Sequence, residues 1–228
     1  MTFLASVGAW FADPAHWRGD DGVPTRVWEH VQLSAASVLI AAAVALPLGL
    51  YLGHTGRGGF AAINVANVGR ALPSLALLAF ALPLSFALGQ GLGFFPTFLA
   101  LIPLALPPIP TNTFVAIWAV DRDTVEAARG MGLRESQILR AVELPLALPL
   151  ILGGMRTAAV NVVATATLGA LVAGGALGRY IVDGLALQEF DRLFAGALLV
   201  ALLAIATELF FSVLAGMSRH TERHGRMT

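Results

Sequence analysis

The side chains here that could move a proton, hold a metal or grip a phosphate are few, and their spacing points away from catalysis. The five histidines are His16, His30, His54, His220 and His224. The last two are four apart and could share one face of a helix, as a metal pair would, but they belong to a polar tail. A phosphate loop of the form Gly-x-x-x-x-Gly-Lys-Ser/Thr needs a lysine, and all 14 basic residues are arginine, so nucleotide chemistry must reside elsewhere. Serine, histidine and aspartate occur without a nucleophile motif to bring them together. With no cysteine there is no disulfide, thiolate nucleophile or thiolate metal site. The chain reads as something other than an enzyme, with no cofactor of its own.

Three polar features remain. Glu208 interrupts an otherwise apolar run, and an unpaired carboxylate near mid-bilayer costs about 2.5 to 3.5 kcal/mol on insertion scales. It either carries a proton or contacts a cation in a pathway, or it faces the helix bundle and bonds to Ser, Thr or another subunit. Asn112 and Thr113 follow the prolines 103, 107, 108 and 110, whose missing N–H groups leave carbonyls in need of polar company. They too are pathway candidates. The third feature is the polar segment 121–143.

The elements that position these residues follow from composition. Of 228 residues, 57% are hydrophobic and 12% charged, with mean hydropathy +0.77. Soluble domains carry about 25% charged residues, so a soluble enzyme is nearly excluded. A net charge of zero argues against nucleic acid as a partner. Charge-free runs over 31–53, 71–89, 91–120, 157–178 and 193–216, the last broken by Glu208, predict about five transmembrane helices in an all-α polytopic membrane protein. The apolar stretch 144–155 holds Pro145, Pro149 and the Gly153-Gly154 pair and is too short to cross alone.

An odd number of spans puts the chain ends on opposite sides. With the carboxyl end in the cytoplasm, ten of the 14 arginines lie inside: Arg57, Arg70, Arg122, Arg129, Arg134, Arg140, Arg156, Arg219, Arg223 and Arg226. The positive-inside rule therefore predicts N-terminus outside and C-terminus inside. Arg70 and Arg156 are expected to snorkel from the inner ends of spans. Residues 1–30 are expected to form an external interfacial segment, with Trp10, Trp17 and Trp28 at headgroup level. The permease domain would then cover 31–216, and 217–228 would be a cytoplasmic tail.

Segment 121–143 predicts two short helices. Asp121 or Asp123 caps the first, Gly132 supplies the left-handed position that ends it, and the second carries Ile138, Leu139, Ala141 and Val142 on one side. Ala127, Ala128 and Gly130 expose almost no side chain, which suits docking in a partner's groove. Glu126-Ala127-Ala128, then Gly132, then Val142-Glu143-Leu144-Pro145, resembles the EAA loop of binding-protein-dependent ABC transporter permeases, with Val142 in place of Ile. That resemblance implies a cytoplasmic coupling helix within 121–145, in which Glu126, Ala127, Ala128, Gly132, Leu144 and Pro145 engage a separate ATPase subunit.

The stretches from Arg70-Ala71-Leu72-Pro73 onward, Asn112-Thr113, and Ala166-Thr167-Leu168-Gly169-Ala170 are similar to the osmoprotectant branch, which imports glycine betaine, carnitine and choline. Thr111 stands where that branch usually has a basic residue. The resemblance implies a multi-pass protein of a bacterial-type cytoplasmic membrane. Its partners would be an ATPase subunit, an extracytoplasmic substrate-binding protein and a second permease, identical or related. Small residues such as Ala158, Ala159, Ala164, Ala166, Gly169 and Ala170 would allow close helix approach. The alternatives are an ABC permease for methionine or an anion, and a secondary transporter, for which only Glu208 qualifies as a coupling residue.

Overall fold

The computed structural model describes residues 3–224, except the side chains of Ala62, Asn67, Arg70 and residues 219–224. The expected snorkelling of Arg70, the tail histidines and Arg219, Arg223 and Arg226 thus fall outside the described side chains. Among the described residues the regular elements are helices, without strands: α1 (Phe3–Ala12), α2 (Val23–Thr55), α3 (Gly59–Arg70), α4 (Ser74–Ala87), α5 (Phe94–Ala105), α6 (Pro108–Trp118), α7 (Arg122–Gly130), α8 (Glu135–Ile138), α9 (Leu144–Thr165), α10 (Gly178–Ala186) and α11 (Phe190–His224). The packing is inside-out relative to a soluble protein. Leu39, Val44, Phe80, Ile205 and Val213 are exposed, while the core is built from Ala41, Ala45, Ala105, Ala158 and Val162. Small side chains inside let the backbones approach, and large apolar ones outside suit lipid.

Four segments are long and apolar enough to cross a membrane: Val23–Thr55, Phe94–Trp118, Glu135–Val172 and Phe190–Ser218. The predicted second span is shorter. Its helix, α4, has 14 residues, about 21 Å, less than the ~30 Å of a bilayer core. The third breaks where the prolines predict. Pro107, Pro108 and Pro110 donate no N–H to the turn before, and α5 gives way to α6 there while the Ile109 N–H satisfies the Leu106 carbonyl at 3.2 Å.

The largest correction concerns the fourth span, which is α9 and begins at Leu144 rather than Thr157. Pro145 lies in the first turn, where its missing N–H is harmless. Gly154 is not a breaker but a close-packing point: a Cβ there would lie 2.6 Å from Asn112 Cβ. Beyond Thr165 the chain tightens into the 3-10 segment Ala166–Val172 and turns at Ala173 (φ +60°) and Ala176 (φ +64°). Ala158, Ala159, Ala166, Gly169 and Ala170 are buried within this chain, against α2, α5 and α6, so only Ala164 remains uncovered for another subunit.

The amino end also differs. α2 starts at Val23, inside the expected external segment, and Trp10 is buried among Val23, Leu177 and Tyr180 and stacked on His16, whereas Trp17 and Trp28 are exposed. α1 packs on the start of α11, with Phe3 and Phe194 edge to face at 4.6 Å. One end of the bundle thus carries α1, α10 and the N-terminus of α2. The other carries α7 and α8 with the ends of α2 and α6 and the start of α9.

Candidate coupling bend and membrane-embedded polar groups

Asp121 opens the bend at the second end of the bundle. Its carboxylate accepts the Asp123 N–H at 3.1 Å, filling one of the donors that the first turn of α7 leaves free. The Arg122 guanidinium lies 4.4 Å over the Trp118 ring, tying α7 to the end of α6. Val125 and Ala128 face inward and join Ile117, Val120 and Ile138 in one apolar cluster.

Gly132 closes α7. Its φ of +85° is left-handed. The Gly132 N–H donates to the Arg129 carbonyl at 3.0 Å and the Leu133 N–H to the Ala128 carbonyl at 3.2 Å, the paired bonds of a Schellman motif. Leu133 and Ala128 share the cluster beneath, supplying the apolar contact that accompanies such a cap. α8 follows at once, with Gln137 Oε1 accepting the Arg134 N–H at 2.8 Å. A π turn, Leu139–Glu143, then leads into α9, the Leu144 N–H donating to the Leu139 carbonyl.

The six residues singled out in the sequence divide into two sets. Glu126, Ala127, Gly132 and Pro145 are exposed, whereas Ala128 is buried and Leu144 half-buried. The uncovered small residues of α7 are therefore Ala127 and Gly130, and Ala128 packs the bend onto the bundle. Met131 escaped the sequence analysis: it lies beside Gly132, 74% exposed, an apolar side chain standing out of an otherwise polar bend.

A second missed feature ties this bend to the membrane helices. Glu143, 1% exposed, occupies the variable position before Leu144-Pro145. Its Oε2 lies 2.6 Å from Nδ1 of His54 at the end of α2; a carboxylate only accepts, so the ring nitrogen donates. His54 Nε2 is 3.4 Å from Glu135 Oε2. Glu135 in turn accepts two bonds from Arg129, at 2.8 and 3.0 Å. That hydrogen bonding first, and charge second, holds the Arg129 guanidinium above its ordinary pKa. Four elements are thus linked: α2, the start of α9, α8 and α7. The only sequence signal was a carboxylate set between apolar neighbours.

The expected pathway residues are not gathered in one place. Thr113 is buried; its hydroxyl donates to the Ile109 carbonyl at 2.8 Å and its Cβ meets Gly49 of α2. Asn112 is half-buried against Gly154, with Nδ2 donating to the Pro108 carbonyl at 2.7 Å. Both satisfy their donors one turn back along α6. Glu208 pairs with Arg156, Oε1 to Nη1 at 3.1 Å. Its partner is neither Ser nor Thr, and Arg156 lies midway along α9 rather than snorkelling from an inner end.

At the opposite end of the bundle, Arg26 pairs with Asp21 and with Glu29, the latter at 2.8 Å. Glu29 Oε2 also accepts the Ala176 N–H at 2.7 Å, and the Tyr180 hydroxyl donates to the Asp21 carbonyl.

A family described as "Binding-protein-dependent transport system inner membrane component" matches residues 45–219. The chain is 36% identical over 203 residues to the choline transport system permease protein OpuBB of Bacillus subtilis (strain 168), covering 86% of this chain and 91% of that one. It is 37% identical over 185 residues to the glycine betaine/carnitine/choline transport system permease protein OpuCB of the same organism, covering 81% and 83%. Among solved structures, an inward-facing MetNI methionine ABC transporter superposes with a TM-score of 0.75 at 22% identity, over 84% of this chain and 93% of that one. At that identity the likeness is one of fold.

Proposed function

This chain belongs to the family of binding-protein-dependent transport system inner membrane components, and we propose that it is the permease of an ATP-driven importer of osmoprotectants such as glycine betaine, carnitine or choline. The protein is a multi-pass membrane component, a transport subunit rather than an enzyme. The observation that carries the mechanism is the Schellman bend at Gly132, which holds Glu126, Ala127 and Met131 uncovered on a rigid turn packed against the bundle. The bend seats in a cleft of a separate ATPase subunit, and closure of that subunit pushes on α9 and α2 through Glu143 and His54.

A second permease, identical or related, completes the route, and a binding protein on the other side delivers solute to it. The bend faces the cytoplasm. Supporting this, Arg57, Arg122, Arg129, Arg134 and Arg140 lie at the end of the bundle that carries the bend, and α1 packs at the other end on the start of α11.

The test is uptake into proteoliposomes that hold this chain with its ATPase and binding protein. ATP-dependent accumulation of labelled choline or carnitine is expected, and none without the ATPase. Accumulation driven by an ion gradient with this chain alone rejects the proposal. ATP-driven uptake of methionine or an inorganic anion instead corrects its substrate.

A further inference from the structure

Arg156 and Glu208 form the one ion pair, among the described residues, that lies away from both ends of the bundle. Arg156 is twelve residues into α9, about 18 Å along it at 1.5 Å per residue, a little past the midpoint of a ~30 Å bilayer core. The pair is not sealed. The side chains are 41% and 47% exposed, and among the described residues neither side chain has another ion-pair or hydrogen-bond partner. Arg156 thus keeps guanidinium donors free, and Glu208 keeps one carboxylate oxygen.

The surroundings show what this opening faces. On α9 the residues 153, 157, 161 and 164 fall on one stripe at a 3.6-residue period, and Arg156 borders it. Thr157, Asn161 and Ala164 on that stripe are exposed. The opposite face of α9 is covered by α2, α5 and α6, and its flank by α11. Glu208 lies on the edge of α11 turned toward this stripe, away from the apolar groove that Leu203, Thr207 and Phe211 form with α2. An amide, a hydroxyl and a half-open ion pair on one uncovered face at mid-depth do not suit hydrocarbon. They suit a water-accessible route.

We propose that Arg156 and Glu208 form a subsite for a zwitterionic solute, with the solute's carboxylate taken by Arg156 and its cationic group by Glu208. Such a subsite presupposes the import function above and deepens it. A guanidinium offers paired N–H donors that match a carboxylate, while a quaternary ammonium has no N–H and is held by charge alone. A zwitterion whose charges are a few ångströms apart therefore exchanges one ion pair for two. A cation without a carboxylate engages Glu208 only, and a neutral solute has nothing to gain. The two residues have different duties, and solutes that differ in the carboxylate separate them.

The experiment compares labelled carnitine, a zwitterion, with labelled choline, a cation bearing a hydroxyl instead. ATP-driven uptake of each is measured in proteoliposomes of the full complex at saturating binding protein, so that delivery does not set the ratio. Arg156→Gln should lower the carnitine-to-choline ratio on the order of 10-fold or more, the loss of a charge-assisted hydrogen bond. Glu208→Gln should lower both solutes. Removing one charge strands the other and can reduce the inserted protein, so the double variant Arg156→Gln/Glu208→Gln is measured per inserted complex. Its ratio should stay low.

A pair that only braces α9 against α11, or that meets a second permease copy, would lower both solutes equally, leaving the ratio unchanged in the Arg156 variant and in the double variant alike. That result overturns the subsite and leaves the import function standing. Failure of the unaltered complex to take up either solute with ATP overturns both.

Discussion

His54 Nδ1 and Glu143 Oε2 stand 2.6 Å apart across 89 residues of sequence, joining the last turn of α2 to the turn that launches α9. Glu143 is buried, so stripping away its partner leaves a carboxylate without compensation. Leaving a buried acceptor without its donor costs about 1 to 3 kcal/mol. His54→Ala should lower the thermal midpoint in detergent and weaken transport per ATP hydrolysed, because the bend loses its tie to α2. Glu143→Gln keeps an acceptor for Nδ1 without the charge and should fall between. Equal coupling ratios in all three proteins would show that force reaches the membrane by another route.

Gly132 separates strain from shape. Its φ of +85° disfavours any side chain by about 1 to 2 kcal/mol, yet a Cβ there meets nothing within 4 Å in this chain. Asparagine tolerates the left-handed region best among the larger residues. Gly132→Asn should therefore insert and fold, yet transport poorly, and Gly132→Asp should abolish ATP-dependent uptake. ATPase pull-down with each variant checks the cause. Full uptake and full ATPase binding by Gly132→Asn would mean that nothing grips this turn.

The contrast between these two sites explains what could be read from sequence. The bend was legible because its determinants are local: Asp121 caps, Gly132 turns left-handed, and both act within one turn of the residues they serve. The start of α9 was not, since Pro145, Pro149 and Gly153-Gly154 carry breaker signals that tertiary context overrides. Pro145 falls where a missing donor is free, and Gly154 is required by Asn112. The alanines of α9 were visible as small, but whether a small face meets its own chain or another depends on packing. Here it meets its own chain. The Arg156–Glu208 and His54–Glu143 pairs depend on helix rotation and depth, which periodicity in low-contrast apolar helices does not fix.

Close approach of α2 to α6 depends on Gly49. A Cβ placed there would sit 2.6 Å from Thr113 Cβ and 3.0 Å from the Pro110 carbonyl. Neither contact can retreat, since one is a buried β-branched side chain and the other backbone. Gly49→Val should push the helices apart at an overpacking cost of about 1 to 3 kcal/mol. The expected result is a lower yield of inserted protein and a lower thermal midpoint, with ATPase binding at the bend retained. An unchanged midpoint would show that the α2–α6 contact is looser than these distances imply.

Glu29 performs the corresponding service at the other end of α2. Its Oε2 accepts from both Arg26 Nη1 and the Ala176 N–H, so one carboxylate fixes a guanidinium and a turn containing two non-glycine residues at positive φ, Ala173 and Ala176. That backbone is costly on its own, and the hydrogen bond to Ala176 helps to offset it. Without Glu29, Arg26 keeps Asp21 as a partner, but the Ala176 N–H loses its acceptor. Glu29→Ala should release residues 173–178 first, seen as faster amide hydrogen exchange there, at a global cost of about 1 to 3 kcal/mol. Glu29→Gln keeps an acceptor for the Ala176 N–H but weakens the hold on Arg26, so exchange in the turn should stay slow while the thermal midpoint still drops. Fast exchange in Glu29→Gln as well would assign the restraint on this turn to charge rather than to the hydrogen bond.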